Sequence, residues 1–338
     1  MRIVVTGGCG FIGSHVAEHL REVFPGARLT ILDKLTYAGD MDNVSHLVTG
    51  NGNGNGKGVH LVVGDICDAD LCRRVVRNAD LVVHLAAESF VDNSFGDPLT
   101  FTITNTLGTH MLLEACRVAE VPRVIHVSTD EVYGEVLRGQ VGEDAPFNPT
   151  NPYSASKAAA EMIILGYLKS YRQQIIRVRA NNIFGIRQYP EKVIPKFCLS
   201  MVLGAKLTIH GNGCHRRHYL HAQDFAAAVA LLIDKGVAGE VYNVGSDEEY
   251  STLEVAEMVC DVFRKDCSEE IVFVKDRLFN DRRYSISSAR MQSLGWRAQR
   301  HLADELGFIA QWYTDRVERY RHLFVDAPAS PQEALICA

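Results

Sequence analysis

No stretch of this sequence approaches the roughly 18 consecutive apolar residues that a membrane-spanning helix requires, so such a helix is excluded at the outset. Basic charge is also in short supply. Lys+Arg 35 against Asp+Glu 41 leaves a formal net charge of −6, ill suited to a nucleic-acid backbone, and no nucleic-acid partner is expected. Nine cysteines are present, but no Cys-x-x-Cys occurs, and their odd number and scatter signal neither a disulfide framework nor a zinc ribbon. The first apolar stretch is broken by Gly7 and Gly8, unlike a secretion signal. Cys337 stands one place from the end rather than fourth, so prenylation is not expected either. A soluble, cytoplasmic protein with reduced thiols is the expectation, and no internal repeat is visible.

What the sequence does have is alternation. Short apolar runs at 3–5, 29–32, 61–63, 81–85, 124–127 and 175–178 read as buried parallel strands. Amphipathic segments at 12–23, 71–77, 99–119 and 152–171 read as helices between them. Residues 50–58, alternating Gly and Asn, are too poor in apolar groups to pack and are expected to form a flexible surface insertion. Beyond about 180 the pattern loosens, with helices expected over 225–233 and 253–263 and turns at Pro190 and Pro195. A chain of 338 residues exceeds the usual single domain. The expected organisation is a first unit over 1–180, a smaller and discontinuous lobe mainly over 181–325 with part returning to the first sheet, and a tail over 326–338.

The motif Val4-Val5-Thr6-Gly7-Gly8-Cys9-Gly10-Phe11-Ile12-Gly13 follows the first strand and opens a helix. Gly7 permits the tight turn, Gly10 lets backbone approach a pyrophosphate at the helix N-terminus, and Gly13 allows close packing on the strand. Asp33, about twenty residues past Gly13 and at the end of the second strand, is placed to accept hydrogen bonds from an adenosine ribose. It would repel a 2′-phosphate and so favours NAD over NADP, with Lys34 beside it weakening that preference. The fold class is therefore α/β, a Rossmann-type doubly wound parallel sheet. Asp65-Ile66 and Leu85-Ala86-Ala87 end further strands at the edge where such a cofactor lies, and the small residues at 86 and 87 admit it.

Tyr153 precedes Lys157 by four residues on one expected helix, so an ammonium can sit beside the phenol and favour the phenolate, a base at neutral pH. Upstream, Ser128-Thr129-Asp130-Glu131 ends a strand with two carboxyl groups that simple hydride transfer does not need. Chemistry beyond oxidation and reduction is implied. His210, His215, His218 and His221 match no compact zinc pattern, and no metal is expected. Arg216 and Arg217 suit a diphosphate.

With these motifs in place, the chain from Gly7 to about Trp312 resembles the extended short-chain dehydrogenase/reductases that act on nucleotide sugars. Thr129-Asp130-Glu131 narrows the resemblance to nucleoside-diphosphate-glucose 4,6-dehydratases. Asn181-Asn182, Pro190-Glu191-Lys192-Val193-Ile194-Pro195, Tyr242-Asn243-Val244-Gly245 and Asn280-Asp281-Arg282-Arg283-Tyr284 extend it. The resemblance implies that Thr129, Asp130, Glu131, Tyr153 and Lys157 are catalytic. It implies that Phe11, Ile12, Lys34, Thr36 and Thr104 join Gly7, Gly10, Gly13, Asp33, Asp65, Ile66, Leu85, Ala86, Ala87, Tyr153 and Lys157 around NAD. Substrate would be held by Ser89, Thr129, Asn182, Lys192, Val193, Arg217, Asn243 and the 276–284 loop with Asp276, Arg277, Asn280 and Tyr284. Phe90, where the family usually has His, and Ile183-Phe184-Gly185-Ile186 depart from the pattern.

The reaction so implied has three stages. Tyr153, helped by Thr129, takes the 4-hydroxyl proton as C4 is oxidised; Glu131 removes the acidified C5 proton while Asp130 protonates the departing C6 hydroxyl; hydride then returns to C6. Opposite jobs for adjacent carboxyls require that Asp130 stay protonated. The 92–96 stretch and the 279–281 loop resemble the UDP-glucose enzymes of eukaryotic rhamnose synthesis, whereas Ala86-Ala87-Glu88-Ser89 resembles the bacterial dTDP-glucose enzymes. UDP-glucose is the expected donor, with dTDP-glucose next. A 4-epimerase, a decarboxylase or a non-catalytic NAD-binding sensor would share the fold, but Asp130-Glu131 argues against the first two and an intact Tyr153, Lys157 and Glu131 against the third. Leu107, Met111, Leu112, Ala115, Met162, Ile163, Leu165 and Leu168 serve either core packing or the homodimeric four-helix bundle that the resemblance implies.

Overall fold

The computed structural model describes residues 1–48, 58–276 and 279–325. The Gly/Asn insertion apart from Gly58, Arg277 and the tail from 326 lie outside the described residues. Six apolar runs form strands β1 (Arg2–Thr6), β2 (Arg28–Asp33), β3 (Val59–Val63), β4 (Leu81–His84), β5 (Val124–Thr129) and β6 (Ile175–Ala180). β5 and β6 are buried along their whole length, as strands covered on both faces must be. Later come β7 (Asn182–Phe184), β8 (Leu207–His210), β9 (Arg216–His221), β10 (Val241–Val244), β11 (Glu249–Ser251) and β12 (Ile271–Val274).

The main sheet has seven strands in the order β10-β6-β5-β4-β1-β2-β3, and every pairing in it is parallel. β1 lies between β2 and β4, so the chain winds away from it in both directions and opens a crevice at the carboxyl ends of these strands. Alternation sends Ile3 and Val5 to one core and Val4 to the other. The helices Phe11–Val23 and Ala222–Lys235 cover the first face, and Ala69–Val76, Thr109–Val118 and Pro152–Tyr171 the second.

A separate core joins Phe197 and Leu199 of the helix Val193–Leu203, Val255 and Val259 of Thr252–Phe263, and Leu306, Ile309 and Tyr313 of Leu302–Thr314. The smaller sheets β11-β9-β7 and β12-β8 accompany it. One feature departs from the expected pattern. The segment read as one helix over 99–119 begins as Pro98–Phe101, widens to a π-helical stretch at Thr102–Gly108, and resumes α-helical geometry at Thr109–Val118. Within the wide turn Asn105 is buried, its amide bonding Glu88 N at 2.8 Å, Glu88 O at 3.0 Å and Ser156 Oγ at 2.9 Å. Such widened turns gather at functional sites. A seventh strand, β10, joins the six read from apolar runs and pairs with β6, so part of the later half lies in the first sheet. Leu220, Phe225 and Val229 with Met291 and Trp296, all from beyond 180, also fill the first core.

Candidate active site

The crevice has two arms. The inner one, a cavity of about 290 Å³, is lined by Gly7, Gly10, Phe11, Ile12 and Gly13 of the glycine loop and by Asp33, Lys34 and Thr36 after β2. Asp65 and Ile66, then Leu85, Ala86 and Ala87, and Thr104 complete the wall, so the fold brings together every residue expected around the cofactor. The loop leaves no room for side chains. Gly7 has φ +71°, and a Cβ on Gly13 would stand 2.0 Å from the Gly7 carbonyl oxygen. Gly10 caps the following helix without a side-chain bond, so its first N–H groups stay available to an anion. Asp33 accepts from Cys9 N and Leu35 N at 2.8 Å each, which fixes its carboxylate at the end of β2. Lys34 is drawn off to Asp65 at 2.8 Å. These features fit a dinucleotide with a free ribose 2′-hydroxyl.

Where the inner arm meets the outer, Thr129, Asp130, Glu131, Tyr153 and Lys157 share the wall. Asp130 and Glu131 follow β5 in a single helical turn, Asp130–Tyr133, capped by the Thr129 hydroxyl. Asn181 Nδ2 donates to Asp130 Oδ2 at 2.8 Å and Asn151 Nδ2 to Glu131 Oε2 at 3.2 Å. Burial and the adjacent Glu131 charge push Asp130 up to about 7. Burial raises Glu131 too, opposed by Arg217, Asn151 and Lys192. Tyr153 starts a helix whose N-terminus the sequence specifies closely: Asn151 forms a capping box with Ser154, and Pro152 occupies the first turn.

The Tyr/Lys pair departs from expectation. Lys157 Nζ donates to the Val127 carbonyl at 2.7 Å, and burial lowers it to about 8. Burial and the Glu131 and Asp130 charges raise Tyr153 well above the ordinary phenol range, with a hydrogen bond from Thr129 opposing them. The phenol is therefore held protonated, because desolvation in a fully buried position outweighs a cation engaged elsewhere.

The outer arm, about 230 Å³, shares Glu131, Asn182 and Lys192 with the inner and adds Val193, Arg217, Asn280 and Tyr284. Ser89 lies on the inner side. Lys192 Nζ bonds the Ser89 carbonyl at 2.9 Å and sits 5.1 Å from the Phe90 ring centre, so the unusual Phe90 offers a π-face where a histidine would offer a ring nitrogen. The Arg217 guanidinium lies 4.6 Å from the Tyr284 ring centre and reaches Asn280 Oδ1 at 3.2 Å. Two expected substrate residues stand elsewhere. Asn243 is fully buried behind the cleft, where Tyr133 donates to its Oδ1 at 2.9 Å. Asp276 is one bond removed from the wall, accepting from Asn280 Nδ2 at 3.2 Å.

The four histidines do not converge. His218 Nδ1 is 3.0 Å from the Ser246 carbonyl, His221 caps the helix Ala222–Lys235, and only His210 and His215 line the outer arm. Among the described residues no three His, Cys, Asp or Glu side chains gather as a metal site. Sequence reasoning passed over Asn151, Asn181 and Asp281 as individual partners. Asn151 carried a signal, since Asn before Pro marks a helix start. Asp281 is 2 % exposed and holds the Thr150 hydroxyl at 2.5 Å and the Tyr284 hydroxyl, a contact that no local pattern announces.

A mostly parallel doubly wound sheet with a glycine loop at its switch point and a Tyr/Lys helix beside it is the architecture of the Rossmann-type dehydratases and epimerases of the short-chain dehydrogenase class. The family model described as GDP-mannose 4,6 dehydratase matches residues 4–306, and the chain belongs to this family. It is 42% identical over 322 residues to the Arabidopsis thaliana trifunctional UDP-glucose 4,6-dehydratase/UDP-4-keto-6-deoxy-D-glucose 3,5-epimerase/UDP-4-keto-L-rhamnose-reductase, covering 94% of this chain and 47% of that protein. The chain thus spans about half the length of the first curated relatives it matches. It is 39% identical over 323 residues to the dTDP-glucose 4,6-dehydratase of Streptomyces niveus, covering 93% of each. Among solved structures, the dTDP-glucose 4,6-dehydratase of Streptomyces venezuelae with NAD bound superimposes with a TM-score of 0.89 at 37% identity, covering 94% of this chain and 98% of that one.

Proposed function

We propose that this chain is an NAD-dependent nucleoside-diphosphate-glucose 4,6-dehydratase that converts UDP-glucose, and more slowly dTDP-glucose, to the 4-keto-6-deoxy sugar nucleotide and water. The observation that carries this reading is the pair of adjacent carboxyls facing Tyr153, one of them, Asp130, pushed up to about 7. A 4-epimerase or a simple dehydrogenase has no use for that pair.

The division of labour follows from the surroundings. Tyr153, hydrogen-bonded to Thr129, takes the 4-hydroxyl proton as its phenolate, so it must first give up the proton that burial holds on it. The glycine loop and Asp33 would hold NAD, which when bound would supply the hydride acceptor at C4 and the donor at C6 and, while oxidised, positive charge that favours the Tyr153 phenolate. Once C4 is a ketone the C5 hydrogen is acidic. Glu131, oriented by Asn151, removes it; Asp130, protonated at neutral pH and held by Asn181, gives its proton to the C6 hydroxyl, which leaves as water. Arg217 and Lys192 supply the cations a diphosphate requires.

The partner is a second copy of the chain. Leu99, Ile103 and Leu107, four residues apart on the helical run after Pro98, are exposed, as is Met162 on the Tyr153 helix. Leu112 and Ala115 are buried in the subunit's own core, so only part of the aliphatic excess is left over. Two such helices per subunit suit a four-helix bundle. We place the enzyme in the reducing cytoplasm, in keeping with its free cysteines; no helix among the described residues is long and apolar enough to cross a membrane. Incubation of the purified protein with UDP-glucose and NAD tests the reading. The expected product is the 4-keto-6-deoxy sugar nucleotide, read as loss of one water by mass and as a new carbonyl absorbance; retention of all atoms with inversion at C4 would replace the reading by an epimerase.

A further inference from the structure

Behind the cleft, and touching none of its cavities, lies a buried set of charged and polar side chains that the reaction as described does not use. Glu161 is fully buried on the helix Pro152–Tyr171, one turn beyond Lys157. Arg179 on β6, 3 % exposed, grips it with both arms, Nε to Oε1 at 2.9 Å and Nη2 to Oε2 at 2.7 Å. The second ion pair, Arg177 Nη1 to Glu161 Oε2, is looser at 3.7 Å. Arg179 Nη1 also donates to the Tyr133 hydroxyl at 2.6 Å, and that hydroxyl donates to Asn243 Oδ1 at 2.9 Å. The guanidinium carbon stands 4.7 Å from the ring centres of both Tyr133 and Phe147.

A buried ion pair is a poor source of stability, since desolvating two charges offsets most of their attraction. Well-packed apolar groups would hold these elements together at least as well. What the polar set adds is direction: a planar guanidinium with fixed donors sets distance and angle between the groups it joins. The groups joined here are telling. Tyr133 ends the turn Asp130–Tyr133, which carries the acid and the base, and Glu161 belongs to the helix that carries Tyr153 and Lys157. The same connection accounts for Asn243, which the cleft does not contain.

We propose that Arg179, with Glu161 and Tyr133, is a positioning clamp that sets the Asp130-Glu131 turn against the Tyr153/Lys157 helix, so that elimination takes place on the sugar whose C4 has just been oxidised. The inference rests on the dehydratase reading. It separates the two halves of the reaction: C4 oxidation needs the helix and Thr129 at the end of β5, and elimination needs in addition the Asp130-Glu131 turn held in register with them.

Tyr133→Phe is the cleanest test, because it deletes one hydroxyl and keeps the ring under Arg179. Expected are a fall in kcat of about tenfold, an unchanged KM, unchanged NAD affinity, and a loss confined to solvent-deuterium entry at C5 while C4 hydride transfer in a single turnover stays at its native rate. Glu161→Gln should do the same, and the double variant should be no worse than the poorer single one, as for groups acting as a unit. Arg179→Lys, which keeps charge but not the fork, should not restore the rate. If Glu161→Gln fails to fold, Tyr133→Phe alone decides. A Tyr133→Phe enzyme with native kcat, or one slowed equally in hydride transfer and C5 exchange, would overturn the clamp. Absence of turnover by the unsubstituted protein would instead sink the dehydratase reading.

Discussion

The inner arm of the cleft is shaped by backbone, whereas the outer arm is shaped by long side chains arriving from separate parts of the chain. Around the inner arm, Gly7, Gly10 and Gly13 leave the main chain bare, and Ala86 and Ala87 keep the facing strand end small. Around the outer arm, Lys192 comes from the start of one helix, Arg217 from β9, and Asn280 and Tyr284 from the loop after β12. The difference teaches that the arms should fail differently. One tolerates no added atom; the other depends on charges and rings that can be exchanged at a graded cost. The residues proposed as catalytic line the inner arm where it meets the outer, and Glu131 lines both.

The largest effect should therefore fall at the junction. Tyr153→Phe is expected to lower kcat by roughly 10³-fold or more while leaving NAD affinity within about twofold, since the lost oxygen transfers a proton and adds little to cofactor binding. Steady-state turnover beside a cofactor titration checks it; near-native turnover removes Tyr153 from the role of base. Glu131→Gln should cost on the order of 10²- to 10³-fold, and reduced-cofactor absorbance should build up with UDP-glucose without deuterium entering C5. In the unsubstituted enzyme kcat should fall about tenfold per pH unit above about 7, because the raised Asp130 must carry its proton to act as an acid. The stability contribution has the same sign. With a folded value of about 7 against an ordinary carboxyl near 4, Asp130 favours the folded state below about 4 and loses that contribution as pH rises through 7. Asp130→Asn should flatten the decline in Tm between pH 5 and 8.

A graded cost in the outer arm predicts partial donor discrimination. kcat/KM for UDP-glucose should exceed that for dTDP-glucose by about 10- to 200-fold, the equivalent of about 1 to 3 kcal/mol for one methyl, and a reversed ratio in side-by-side assays would reassign the donor without touching the mechanism. The inner arm supplies the smallest and sharpest contrast. Gly13→Ala puts a Cβ 2.0 Å from the Gly7 carbonyl oxygen, and overpacking of this kind typically costs about 1 to 3 kcal/mol. NAD affinity should drop by about 10- to 100-fold with kcat at saturating cofactor largely kept. Unchanged affinity would mean that the loop relaxes and that the inner arm is not rigid.

Local patterns determined much of this protein. Six of the seven main strands, the glycine loop, Asp33, and the helix from Asn151 that delivers Tyr153 and Lys157 were legible because each depends on a few consecutive residues: an apolar run, a glycine where a Cβ cannot go, an Asn-Pro cap. β10 escaped, since Val241–Val244 is too short to distinguish from a loop until β6 pairs with it. Tertiary structure alone decided the electrostatics. Sequence placed a lysine one turn from Tyr153, but burial sends its ammonium to the Val127 carbonyl and leaves the phenol protonated. Sequence placed two carboxyls side by side, but which of them keeps a proton depends on Asn181, Asn151 and Arg217, residues brought in from the link between β6 and β7, a helix cap and β9. Asn243, aligned by its motif with the substrate, turns out to hold Tyr133. Backbone geometry is written in neighbours along the chain; a proton affinity is set by desolvation and by charges within a few ångströms in space, and these exist only once the chain has folded.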